Sequence, residues 1–373
     1  MNYIAYRLRV FNLVSATLLL MLILHSCNTK SGNSEKYYSL SDFHTVKKID
    51  AHVHIQTERP DIVEQAQEDN FILISVNTEV PGYPTISEQQ DYIFKQRTKF
   101  PNDIYYLTTF ETESRNQSGW VDRQMNYLRN SFNKGAIGIK VWKNIGMTIK
   151  DKDSNFIMID NPIFAPIFNY LEENNIPVCG HIGEPKNCWL PIEKMTTNND
   201  KHYFTKYPEY HMYLHPEYPS YEKLIQSRDH LLEKHPKLKF VGAHLGSLEW
   251  SIDEIAKRLD KFPKMSVDIT ERLGQVQYQS MQNWKKVHDF FMRYQDRILY
   301  GTDIEPQESQ TPAQVKEMAH DIWVRDWKYF TSDSTLEHPF VDGKFKALKL
   351  PKTVVDKIYH ENAVKWYFNN SNK

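Results

Sequence analysis

Eight short apolar runs, separated by amphipathic stretches, constrain this chain more than any other feature. The runs fall at 47–55, 71–77, 104–110, 136–142, 176–182, 239–245, 265–269 and 298–302. Between them, at 86–98, 120–132, 163–174, 221–234, 252–261 and 284–294, apolar residues recur at the spacing of one helix face. The segment between the first two runs carries a weaker helical pattern. Strands alternating with helices read as parallel βα units, because each helix returns the chain to the same end of the sheet. Eight such units close into an α/β TIM barrel, with functional groups at the C-terminal ends of the strands. The rival is a doubly wound open sheet, which usually carries a glycine-rich nucleotide turn after its first strand. Here that position holds Asp50-Ala51-His52-Val53-His54. The expectation is one barrel over 47–370, with further helices at 315–330 and 352–368.

One segment stands outside the repeat. Residues 184–220 follow the fifth strand and carry Trp189, Tyr203, Tyr207, Tyr210, Tyr213 and Tyr218. A connection that long within a compact domain is usually functional. It is expected to cover the barrel mouth as an aromatic lid, with a packing insertion or partner surface as the alternative.

The start of the chain reads as a targeting segment. Arg7 and Arg9 precede an apolar run from Val14 to Leu24, which ends in His25-Ser26-Cys27. This is the layout of a secretory signal, too short for a membrane span. The tail resembles a bacterial lipobox, although His25 departs from the usual aliphatic residue. Residues 1–26 are read as a signal peptide, Cys27 as the lipidated residue and 27–46 as a tether. A plain signal cleaved near Ser26 is the alternative. The expected location is the bacterial cell envelope, facing the periplasm from the outer membrane. Without residues 1–26 the 46 basic residues fall by two to 44, against 47 acidic ones. No basic face or tail points to nucleic acid, so a small-molecule substrate is expected. Cys179 and Cys188 are read as free thiols, and the sequence leaves homo-oligomerisation open.

The chemistry lies at the strand ends. His52 and His54, two apart on a strand, project to one side and can reach one cation. Imidazole is a common ligand for zinc, iron or nickel. His181 ends the fifth run, His244 the sixth, and Asp303 follows the eighth. A lone histidine at a strand end is more often a structural hydrogen-bond partner. Four such groups at one end of one barrel are better explained by a metal. Lys140 ends the fourth run, followed by Trp142, and Glu184 follows His181. These three are weaker substrate-binding candidates, each also readable as an ordinary packing or ion-paired residue. Glu111 and Asp268 are further acids at the same end that would orient a histidine or bind substrate.

The set is similar to the metal-dependent amidohydrolase superfamily, in the amidohydrolase-2 branch that includes aminocarboxymuconate-semialdehyde decarboxylase and several lactone hydrolases. The resemblance covers roughly 47–368. It rests on Ile49-Asp50-Ala51-His52-Val53-His54, on His181 and His244, on Tyr300-Gly301-Thr302-Asp303, and on Ile358-Tyr359-His360-Glu361-Asn362-Ala363. It implies that His52, His54, His181 and Asp303 hold one divalent metal, zinc or alternatively manganese. His244 would be a catalytic acid/base beside it, and Asp303 would also take a proton from the attacking water. In other branches a lysine at the position of Lys140 is carboxylated and bridges two metals. An unmodified Lys140 that binds substrate is the preferred reading here. The implied activity is hydrolysis of a small ester, lactone or amide through metal-activated water. Decarboxylation or hydration of an unsaturated acid is the alternative, and a catalytically silent ligand-binding barrel is a third.

Overall fold

The computed structural model describes residues 36–368. The expected signal peptide, Cys27 and the start of the expected tether lie outside them. Among the described residues no helix is long and apolar enough to cross a membrane.

The strands are β1 (Lys48–Val53), β2 (Phe71–Val76), β3 (Ile104–Leu107), β4 (Ile139–Val141), β5 (Val178–Gly180), β6 (Phe240–Gly242), β7 (Met265–Asp268) and β8 (Ile298–Leu299). The helices between them are α1 (Asp61–Glu68), α2 (Ile86–Lys99), α3 (Trp120–Asn133), α4 (Ala165–Glu173), α5 (Asn198–Lys206), α6 (Tyr221–Lys234), α7 (Ile252–Lys261) and α8 (Leu273–Arg293). After β8 come α9 (Pro312–Thr331), a hairpin of β9 (Thr335–Glu337) and β10 (Lys344–Lys346), and α10 (Lys352–Asp356). Parallel pairing runs β1-β2-β3 and β4-β5-β6-β7-β8. Backbone hydrogen bonds join the two arcs. Ile137 N donates to Tyr106 O (3.0 Å) and Lys140 N to Thr108 O (2.7 Å) on one side. On the other, Ala51 N donates to Tyr300 O (3.0 Å) and Asp303 N to His52 O (2.9 Å). The ring closes, and the chain is a TIM barrel.

Local sequence explains the helices. Thr85 and Glu88 form a capping box at the start of α2, and α9 opens with Thr311 as cap and Pro312 in its first turn. Alternate strand residues divide into two cores. Ile49, Ala51, Ile74, Val76, Leu107, Cys179, Val241 and Leu299 fill the barrel interior. Leu73, Val178, Phe240 and Val267 pack outward against the helices. Ala363, Trp366 and Tyr367 of the C-terminal segment join the inner core. They close the end of the barrel opposite the strand C-termini.

β1 breaks this alternation at one place. Asp50 pairs with Leu73 but Val53 with Ser75, so three steps along β1 match two along β2. This β-bulge shifts the parity of the strand. Before it Ile49 and Ala51 face inward; after it Val53 faces outward. His52 and His54 therefore face the interior.

Several elements depart from the sequence reading. α8 begins at Leu273, eleven residues before the expected start, with a kink at Asn283 (φ −154°, ψ 82°). Its first half buries Gly274, Gln275, Gln277 and Ser280, which hides the apolar period. The β9–β10 hairpin was not foreseen, because Phe345 is its single buried residue. The segment after β5 is no open loop. It folds into short turns and α5 around its own core, in which Cys188, Met195, Phe204 and Met212 pack against Met147, Met158 and Leu224. His211 of this segment is 3% exposed and bonds Leu190 O through Nε2 at 2.8 Å.

Candidate metal centre

The ends of β1, β4, β5, β6, β7 and β8 bring His52, His54, Lys140, His181, His244, Asp268 and Asp303 together. Asp303 is the hub. Its Oδ1 lies 3.2 Å from His52 Nε2 and 3.2 Å from His54 Nε2. One donor atom each from His52, His244 and Asp303 lies within 4.8 Å of the others, close enough to share an ion. The His244 ring stands between two more imidazoles, 5.2 Å from His52 and 4.1 Å from His181.

Backbone geometry sets these directions. His244 and Asp303 are both in the left-handed region, at φ 56° and 70°. Such conformations are unfavourable for residues with a Cβ, at about 1–3 kcal/mol each, and concentrate at functional sites. Gly301 is required for the approach of β8 to β1. A Cβ there would meet Thr270 Oγ1 and lie 3.0 Å from His52 Cβ.

The hydrogen bonds assign the tautomers. His52 Nδ1 faces Asp268 Oδ2 at 3.0 Å. A carboxylate accepts, so Nδ1 carries the proton and Nε2 keeps its lone pair for the centre. That lone pair receives Lys140 Nζ at 2.9 Å. His244 Nδ1 faces Thr270 O at 3.1 Å, and a carbonyl likewise only accepts, so His244 Nε2 is the basic nitrogen. Asp268 also accepts from His244 N at 2.8 Å through Oδ1. One buried carboxylate thus braces both β1 and β6.

The electrostatics favour the protonation states a cation needs. Burial holds His52, His181 and His244 below the usual imidazole range, the last two well below it. They are neutral at pH 7. Burial pushes the Asp268 carboxyl up, but His52, His244 and Lys140 outweigh it and hold it at about 2. Burial acts the same way on Asp303, and the three imidazoles around it keep it well below the carboxylate range. His181 Nε2 is buried without a hydrogen-bond partner, which fits a nitrogen donor awaiting a ligand.

The weaker candidates separate. Lys140 is 1% exposed, inside the barrel under His52 rather than at the rim. Glu184 pairs with Lys143 at the mouth. Trp142 lines a cleft beside the centre. Glu111 is held within its own loop, accepting from Ser114 N (2.9 Å) and Gln124 Nε2 (2.7 Å). Trp189 donates to Pro219 O at 3.2 Å and packs edge-on against Tyr221, so it serves the inserted segment.

Three residues were missed by sequence reading. Asp50 accepts from Thr302 Oγ1 (2.6 Å), Thr302 N (3.1 Å) and Trp323 Nε1 (2.9 Å), tying β1 to β8 and α9. Its place two residues before His52 was the available signal. Arg272, beyond β7, is 5% exposed and pairs with Glu271 at 3.0 Å. Tyr83 sits edge-on to His54, with ring centroids 6.5 Å apart. Nothing in their local sequence marks Arg272 or Tyr83.

A family model described as amidohydrolase matches residues 119–368. An uncharacterised TIM-barrel protein from Bordetella bronchiseptica is similar in structure, with a TM-score of 0.53 at 14% identity over 88% of this chain and 100% of its own. The 2,6-dihydroxybenzoate decarboxylase from Rhizobium superposes with a TM-score of 0.50 at 14% identity, over 87% of this chain and 99% of its own. Both are likenesses of fold. No curated protein matches the sequence.

Proposed function

Because the chain belongs to the amidohydrolase family, we propose that it is a metal-dependent hydrolase of a small ester, lactone or amide. The observation that carries this reading is the convergence on Asp303. One carboxylate oxygen lies 3.2 Å from each imidazole of the His52/His54 pair, with His181 and His244 in the same cluster. His52, His54, His181 and Asp303 would hold one divalent cation, zinc or manganese. When bound, such an ion supplies Lewis acidity toward a carbonyl oxygen and toward water.

The protein's own groups supply the rest. Asp303 is ionised and is placed to take the proton of the attacking water. His244, with its proton on Nδ1, presents a basic Nε2 that receives or returns a proton at the leaving atom. Asp268 keeps His52 in the tautomer that directs Nε2 inward. Burial keeps bulk water from competing for His52, His244 and Asp268, while Asp303 is partly open to it.

Decarboxylation or hydration of an unsaturated acid is the second reading. Such substrates need a cation free to receive a carboxylate. Lys143 is paired with Glu184 and Arg272 with Glu271, while Lys140 is sealed under His52. These pairings support hydrolysis, while Arg123 in the neighbouring cleft wall bonds Ser118 O and Ser114 Oγ rather than a carboxylate. From the N-terminal sequence we also propose a periplasm-facing lipoprotein anchored through Cys27.

The test is a soluble form lacking residues 1–26 and Cys27, loaded with zinc or manganese and offered esters, sugar lactones, amides and unsaturated acids. Metal-dependent release of an acid from an ester, lactone or amide is the expected result. Release of carbon dioxide, or less than about a tenth of an equivalent of bound metal in folded protein, would overturn it.

A further inference from the structure

Beside the imidazoles a cleft of about 670 Å³ opens over the ends of β2, β3 and β4. Its walls include Val80, Tyr83 and Ile86 from the β2–α2 connection, Tyr127 from α3, and Trp142 and Ile149 beyond β4. All three strands run parallel to β1, so the cleft shares the face of the barrel that carries the metal centre.

Two residues place the cleft next to that centre. The Tyr83 ring lines the cleft, meets His54 edge-on at 6.5 Å, and donates its hydroxyl to Glu305 Oε2 at 2.5 Å. A single phenol ring therefore divides the cleft from a candidate ligand. On the other side Trp142 stands in the wall, two residues after Lys140, whose amine touches His52 Nε2 at 2.9 Å.

We propose that this cleft receives the non-reacting apolar part of the substrate, an aryl or medium-length alkyl group attached to the carbonyl that reaches the imidazoles. This rests on the hydrolase reading. The volume lies within the range of small-molecule sites, about 300–1,000 Å³, and far exceeds an acetyl group. Two of the carboxylates in the wall are already engaged by the protein. Glu79 accepts from Thr112 N (2.8 Å), Thr112 Oγ1 (2.6 Å) and Asn144 Nδ2 (2.9 Å), and Glu111 is held by Ser114 and Gln124. Most of the surface left to meet a ligand is aromatic and aliphatic, with the exposed Glu113 and Arg123 also in the wall, and such a surface favours an apolar group.

The experiment compares methyl acetate with methyl 4-phenylbutanoate on the zinc-loaded enzyme, followed by acid release in a pH-stat. The phenylbutanoate should be preferred in kcat/KM by at least about tenfold. Trp142→Ala, which removes a wall, and Ser87→Trp, which fills the cleft from its rim, should each collapse that ratio while circular dichroism stays native. Equal turnover of the two esters, or a ratio that survives both variants, overturns the proposal. If neither ester is turned over, the hydrolase reading fails for them and calorimetry with 4-phenylbutanamide decides the cleft separately. Saturable binding weakened at least about tenfold by both variants upholds it, and no binding by the native protein overturns it.

Discussion

Asp268 Oδ2 lies 3.0 Å from His52 Nδ1, with both side chains at most 1% exposed. In that dry setting the carboxylate fixes the ring's tautomer and orientation together. Asp268→Asn keeps the size but places an amide where a charged acceptor stood. Metal affinity should fall about 10–100-fold. Titration with zinc against a competing chelator measures it, and an unchanged dissociation constant would refute the bracing role.

Asp303→Asn removes the carboxylate on which His52 and His54 converge. Turnover should drop by at least about a hundredfold, since a positioned general base contributes about 10²–10⁴. The circular dichroism spectrum should be unchanged. Retained turnover would sink the proposed mechanism.

Removal of metal should be visible without any substrate. A cation that binds the folded chain and not the unfolded one stabilises it by about 2.7 kcal/mol at a hundred times its dissociation constant. Adding zinc to chelator-treated protein should therefore raise Tm, and His52→Ala should abolish the rise. A zinc-independent Tm counts against the site.

Asp50 illustrates a cost of interior polarity. It accepts from Thr302 and Trp323 with none of its side chain in solvent. Asp50→Ala leaves buried donors unpaired and unties β1 from β8. The expected loss is about 2–4 kcal/mol in urea denaturation. A loss under about 0.5 kcal/mol would show that these bonds do not hold the strands.

Glu249 gives a pH signature. It is 1% exposed, accepts from Lys186 N at 2.8 Å, and burial pushes its carboxyl from 4.5 up to about 7. Between those values the folded state holds a proton that the unfolded state has released. Stability therefore falls as pH rises through this window and levels off above it. Glu249→Gln removes the dependence. Its gain in stability over the native protein should be about 1–3 kcal/mol larger at pH 8 than at pH 4.5. Equal gains at both pH values would contradict the assignment.

The barrel was legible because apolar strands and amphipathic helices alternate along most of the chain, and the C-terminal strand ends were visible as His181, His244 and Asp303. Residues whose role depends on a partner far along the chain were harder to see. Asp268 reads locally as a strand acid that could orient a histidine or bind substrate, and only folding sets it 3.0 Å from His52 in particular. Arg272 and Tyr83 sit in connections that carry no period. The first half of α8 was hidden because its buried face is polar, through Gln275 and Gln277, with Gln275 bonded to Asp200 of the inserted segment. The inserted segment after β5 showed its tyrosines but not its core, since Met195, Phe204 and Met212 follow no regular spacing.

The extra residue between Asp50 and Val53 separates the barrel's architecture from its chemistry. Without it, strict alternation from Ile49 and Ala51 would turn both imidazoles toward the surrounding helices and leave an inert, still closed barrel. Deleting one residue there is thus a larger functional change than most point substitutions.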